Sequence, residues 1–129
     1  MSKADSIRPT EAELQILKVL WKRGASTVRE VRDVIHQSKP TLYTTVFKLM
    51  QIMTEKGLVK RDLLQRAHLY EANVEESQTQ QQLVGDLLEK VFDGSASQLV
   101  MRALSNKKAS KQEIAEIRNL LDEFERGKK

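Results

Sequence analysis

Residues 39–57, KPTLYTTVFKLMQIMTEKG, decide how this chain folds. Apolar residues at Leu42, Val46, Leu49, Met50 and Met53 recur in steps of three and four, the period that lines one face of an α-helix. The other face carries Tyr43, Thr44, Phe47, Lys48 and Gln51, with no carboxylate until Glu55. Hydroxyls, a lysine and an outward aromatic on one face suit contact with a nucleic acid, because phosphate oxygens accept hydrogen bonds from Thr and Tyr and repel carboxylates. Taken alone, the blander reading of an amphipathic helix with a polar outside is preferred. The flanking sequence shifts that balance.

Upstream, residues 1–9 read as a loose polar arm. Residues 10–13, TEAE, have the form of a capping box, with Thr10 accepting from the helix start and Glu13 reaching back. Leu14, Leu17, Leu20 and Trp21 then form a helical stripe that stops at Gly24, read as a left-handed C-cap. Trp21, the only tryptophan, reads as a core anchor. After a short Ala25-Ser26 link, Thr27 caps a second helix with Val28, Val31 and Ile35 inside and Val34 beside them. Pro40 stops that helix near Gln37, and Pro40 with Thr41 is expected to open the next as N-terminal proline and cap. Two short helices about a tight turn, the second polar outside, make a helix-turn-helix pattern.

Downstream the period changes. Gly57 stops the helix, residues 58–63 (LVKRDL) read as a strand, 64–66 as a turn and 67–72 (AHLYEA) as a returning strand. A hairpin directly after a recognition-type helix is a wing, and this one carries Lys60, Arg61, Arg66 and His68. Residues 1–73 are therefore expected to form a winged-helix DNA-binding domain. Its recognition helix, about 41–56, would present Tyr43, Thr44, Thr45, Phe47, Lys48 and Gln51 to the major groove. Its wing, 58–72, would set Lys60, Arg61 and Arg66 against the backbone.

From Asn73 the strand signals vanish. Asn73 and Glu76 resemble a cap pair, and the polar run 77–82 reads as the exposed start of a helix. Leu83, Leu87 and Val91 follow at spacing four, flanked by Val84, Leu88 and Phe92. Residues 93–95 (DGS) break that helix; Leu99, Val100, Ala103 and Leu104 form a further patch. Residues 110–113 (SKQE) form another capping box, opening a helix with Ile114, Ile117, Leu121 and Phe124 on one face and a frayed end at 126–129. This is more apolar surface than a short segment hides alone. Residues 74–129 are accordingly expected to be a helical dimerisation domain using Leu83, Leu87, Val91, Leu99, Ile117, Leu121 and Phe124. A two-fold dimer would place two recognition helices about 34 Å apart, matching an inverted repeat in double-stranded DNA. The alternative is a monomer whose last helices fold back on the winged domain.

Composition agrees with a mainly α fold carrying one small β-hairpin: charged residues make up 31% of 129 and aromatics 5%. Net charge is +4, and it is uneven. Residues 1–73 hold 13 Lys and Arg against 8 Asp and Glu, while 74–129 hold 9 against 10. A basic half joined to a near-neutral half is the footprint of a phosphate-binding module beside an assembly module. The absence of cysteine removes disulfides, thiolate metal sites and cysteine nucleophiles, and fits a reducing cytoplasm. No apolar run reaches the roughly 20 residues of a membrane span, and the first ten residues lack a signal-peptide core. No phosphate-cradling glycine loop or nucleophile elbow occurs, and His36 and His68 fall in different elements. No catalytic residue, metal or cofactor is expected. The rival to a DNA-binding reading is a winged helix that binds only protein.

These residues together resemble the penicillinase-repressor family (BlaI/MecI/CopY) over roughly residues 10–125. The resemblance is carried by 10–13 (TEAE) with Leu17, Leu20 and Trp21; 27–31 (TVREV); 43–46 (YTTV); 56–59 (KGLV); and 68–70 (HLY). In the second half, 74–77 (VEES), Leu99-Val100 and 113–118 (EIAEIR) also match. It implies a cytoplasmic bacterial repressor with a winged helix, a dimerisation domain and a palindromic operator. By position it places Thr44, Thr45 and Lys48 in the major groove, Tyr43 near phosphate, and Lys60, Arg61 and Arg66 on the wing. Lys48 and Ile52 stand where relatives often have threonine and arginine, which implies a different operator sequence. In β-lactam-responsive members a membrane receptor protease system leads to cleavage at an Asn-Phe bond. Arg102-Ala103 stands at that position here. Copper-responsive members use a cysteine-rich site, which a chain without cysteine cannot form.

Overall fold

The computed structural model of the chain describes residues 7–64, 66–106 and 108–127. In order, its elements are α1 (Glu11–Arg23), α2 (Val28–His36), α3 (Tyr43–Lys56), β1 (Val59–Asp62), β2 (Leu69–Ala72), α4 (Glu76–Phe92), α5 (Ala96–Asn106) and α6 (Lys111–Glu125). The fold is mainly α with one antiparallel hairpin, the class read from the sequence. Two compact units divide it, one up to Val84 and one from Gly85, with α4 contributing residues to both.

The first unit is built on a single core. Ile16, Leu17 and Leu20 of α1, Val28 and Val31 of α2, and Val46, Met50 and Met53 of α3 are buried together with Leu58, Val59 and Tyr70. Each contributes on the order of 1.5–3 kcal/mol relative to exposure. The predicted capping box forms: Thr10 Oγ1 accepts from the Glu13 N–H while Thr10 N–H donates to Glu13 Oε1; Thr27, read only as a cap, forms a second box with Glu30. Trp21 is partly buried against this core and donates its indole N–H to the Val74 carbonyl at 2.9 Å. That bond ties α1 to the chain leading into α4.

The hairpin pairs Val59 with Ala72, Lys60 with Glu71, Arg61 with Tyr70 and Asp62 with Leu69. A third chain segment joins it at one residue. Ser26 donates its N–H to the Tyr70 carbonyl at 2.9 Å and accepts from the Tyr70 N–H at 2.8 Å. The link between α1 and α2, read from sequence as a plain connection, is therefore also a sheet edge. Ser26 is fully buried, its hydroxyl donating to the Gly24 carbonyl at 2.9 Å and accepting from Arg23 Nε at 3.3 Å.

Four local expectations are corrected. Thr41 does not cap α3. Its hydroxyl donates to the Lys39 carbonyl, its N–H donates to His36 Nδ1, and its carbonyl accepts from Arg32 Nε. With Thr41 consumed by the turn, the helix begins at Tyr43 with Leu42 as a cap that makes no side-chain bond. Leu42 is consequently 70% exposed and does not join the buried face. Gly24 has φ 88° and ψ −164°, a positive-φ conformation open to glycine but outside the left-handed helical well, and leads into the Ser26 bridge; Gly57, at φ 86° and ψ 12°, does take the left-handed cap conformation. Asn73 does not cap α4, which starts at Glu76. It donates its N–H to Leu58 O and its Nδ2 to Gly57 O, closing the hairpin onto the end of α3.

In the second unit, Asp93 and Gly94 take positive φ and end α4 where the sequence placed a break. Ser110 and Glu113 form the predicted capping box at α6. Among the described residues from 85 onward no side chain is buried. Leu87 on α4, Met101 on α5, and Leu121 and Phe124 on α6 are about half exposed or more.

Candidate nucleic-acid interface

The inner face of α3 is pinned by Val46, Met50 and Met53, so the helix period turns Thr44, Lys48 and Gln51 away from the core; all three are exposed. The helix opens without a side-chain cap and with no acid in its first turn. No cap side chain or first-turn acid therefore offsets its first N–H groups and the positive end of its dipole. α1 and α2, by contrast, have closed that end with Glu13 and Glu30.

One flank of α3 carries a stack. The Tyr43 and Phe47 rings lie 6.3 Å apart and nearly parallel, and the Arg29 guanidinium sits 5.9 Å above the Tyr43 ring. They form one wall of a cleft of about 350 Å³ that also involves Thr27, Arg66, His68 and Tyr70. No carboxylate lines it. The start of α2, the first half of α3 and the far side of the hairpin thus converge on one cationic, aromatic surface. Tyr43, Phe47 and Arg66 from the sequence reading meet here.

The other expected residues spread out. Thr45 lies on the opposite flank of α3, in a separate cleft with Leu42, Pro40, Ile35 and Leu49. Lys60 and Arg61 point to opposite faces of the hairpin, as adjacent strand residues must. Arg61 shares its face with Tyr70, opposite it in register; Lys60 shares the other with Glu71, to which it is paired at 3.7 Å. That exposed pair holds little energy and is readily given up to a phosphate.

Two contributions escape a reading of the sequence alone. Arg29 was legible only as a polar position on α2; the crossing of α2 and α3 is what lays it on Tyr43. Glu13 doubles as cap and ion-pair partner: Lys56 Nζ lies 2.8 Å from its Oε2 and 3.0 Å from its Oε1, across 43 residues of sequence. This fastens the last turn of α3 to the first turn of α1. Among the described residues no group of three or more acidic, His or Cys side chains is disposed to hold a metal ion. No helix there is long and apolar enough to cross a membrane.

Comparison with known proteins gives this geometry a context. A family model described as Penicillinase repressor matches residues 9–123. A penicillinase repressor of Bacillus licheniformis is 25% identical over 120 residues, covering 93% of this chain and 94% of that one. The methicillin resistance regulatory protein MecI of Staphylococcus aureus (strain N315) is 24% identical over 113 residues, covering 88% and 92%. The solution structure of the DNA binding domain of the repressor BlaI superposes with a TM-score of 0.50 at 26% identity, over 60% of this chain and 93% of that one.

Proposed function

The chain belongs to the penicillinase-repressor family, whose members are repressors rather than enzymes, and from that premise we propose that it is a transcriptional repressor. It binds double-stranded DNA through α3 and the wing, and it does so as a homodimer on a palindromic operator. The observation that carries the DNA reading is the outer face of α3, free of carboxylates until Glu55 in its last turn and opening with an uncapped N-terminus beside a cationic cleft. In this reading residues 1–73 form the DNA-binding domain. Thr44, Lys48 and Gln51 reach base edges, Tyr43 and Phe47 line the groove side of the cleft, and Arg61, Arg66 and Lys60 meet phosphates, with Thr45 at the far flank.

Residues 74–129 form the dimerisation domain. Support comes from the exposed apolar stripes of α4, α5 and α6, with no buried side chain among the described residues from Gly85 onward. Leu83, Leu87, Val91, Leu99, Ile117, Leu121 and Phe124 supply the interface. Arg102 and Ala103 lie inside α5. They replace the Asn-Phe pair at the matching position, so release from DNA by cutting there is not part of the proposal.

Affinity for duplex DNA measured across salt concentrations tests the reading. Contact with about six to ten phosphates predicts a loss on the order of 10³–10⁵ between roughly 50 and 200 mM salt. Absence of binding even at the lowest salt would leave the protein-only adaptor. A second measurement concerns sequence choice. Thr44→Ala and Lys48→Ala should each cost about 1–3 kcal/mol on the preferred duplex and relax base preference while sedimentation still reports the dimer. An unchanged base preference in a selection experiment would remove α3 from the recognition role.

A further inference from the structure

We propose that the Arg29–Tyr43–Phe47 stack reads the 5-methyl group of thymine in the major groove, an inference that rests on the DNA-binding reading above. Tyr43 is 46% exposed and Phe47 39%, although both belong to the helix that anchors the core. The Phe47 ring has no hydrogen-bonding atom, and one of its neighbours is already the stacked Tyr43 ring, so its open edge fits an apolar group best. Among the groups that a B-form duplex displays in its major groove, the thymine methyl is the apolar one; the others are nitrogen and oxygen donors and acceptors.

The surroundings select the same partner. The cleft beside the two rings is lined by Arg29, Arg66 and His68 and by no carboxylate, which favours a polyanion and opposes an acidic protein surface. Phe47 stands little more than one turn from the start of α3, in the part of such a helix that approaches base edges. The stack also holds the ring in place beforehand. Phe47 lies against Tyr43 at 6.3 Å, and Tyr43 is covered by Arg29, so little side-chain freedom remains to be lost on binding. Arg29 and Tyr43 act here as positioning residues, and Phe47 makes the contact.

The test uses the full chain and a duplex that it selects from a random pool. Each thymine of that duplex is replaced in turn by deoxyuridine, which removes the methyl and nothing else. One position in each half-site should lose affinity about fourfold, and replacing both should lose about fifteenfold, the value of one and two buried methyl groups. Phe47→Ala should bind the thymine and uracil duplexes equally, and Phe47→Leu should keep part of the discrimination. Three results overturn the proposal: a selected half-site without thymine, wild-type affinity indifferent to every replacement, or discrimination that survives in Phe47→Ala. Failure of the folded chain to select any duplex is a different outcome, and it removes the DNA-binding reading itself.

Discussion

Aspartate at both Leu87 and Val91 is expected to turn the chain into a monomer and to lower its affinity for a two-half-site duplex by about 10² or more. The two residues lie one turn apart on α4 and are 45% and 61% exposed. An apolar pair buried against a second copy would have to accept two unpaired charges after substitution, which no packing rearrangement offsets. Coupling two half-site contacts through a dimer raises avidity by about 10²–10⁴ over one contact, and that factor disappears with the interface. Affinity for a single half-site should barely move, since neither residue belongs to the α3 surface. Because both side chains are exposed within the chain, helical content should also be unchanged. Sedimentation velocity of the wild type decides the matter first: a monomer at micromolar concentration would end the dimer proposal.

Lys56→Met should destabilise the first unit by about 2–3 kcal/mol. Glu13 is 2% exposed, and Lys56 supplies both of its close charged contacts. Removing one partner of a buried pair strands the other, at about 3–5 kcal/mol for full burial. The Lys56 side chain keeps 34% of its exposure, so solvent reduces that figure. For a unit of this size the melting temperature should fall by about 10–20 °C. Pairing the change with Glu13→Leu removes the stranded charge and should recover much of the loss, apart from about 1 kcal/mol for the cap. A melting temperature for Lys56→Met within two or three degrees of wild type would mean that the bridge holds nothing. Since the pair fixes the end of α3, the same substitution should weaken operator binding at temperatures where the unit is still folded.

What the sequence disclosed and what it withheld divide along chain distance. The capping boxes at Thr10 and Ser110, and Thr27 as a cap, were legible because donor and acceptor lie three residues apart. The buried face of α3 was legible from its period, except at Leu42, where the competing bonds of Thr41 delayed the helix start. The opposite faces of Lys60 and Arg61 follow from strand alternation once the register is known. Nothing local announces that Ser26 meets Tyr70, that Glu13 meets Lys56, or that Arg29 covers Tyr43. Each of these joins elements that the chain brings together only by packing. They are also the contacts that shape the candidate interface, so its members were readable one by one while its arrangement was not.

The bridge between Ser26 and Tyr70 has a mechanical side. A hairpin attached only through its own two ends would be a flap, free to bend at its root. This one is clamped from the side by two backbone hydrogen bonds of 2.8 and 2.9 Å to the residue just before the α2 cap. A load on Arg66 is then passed to α2, and through Arg32 and His36 to the turn that launches α3. The three walls of the cleft are thus tied to one another, as the parts of one jaw. In the DNA-binding reading proposed above, a jaw of fixed gape would discriminate by the width and curvature of what enters it, the burden of adapting would fall on the duplex, and stiff sequences of the wrong groove width would be rejected without any base being touched.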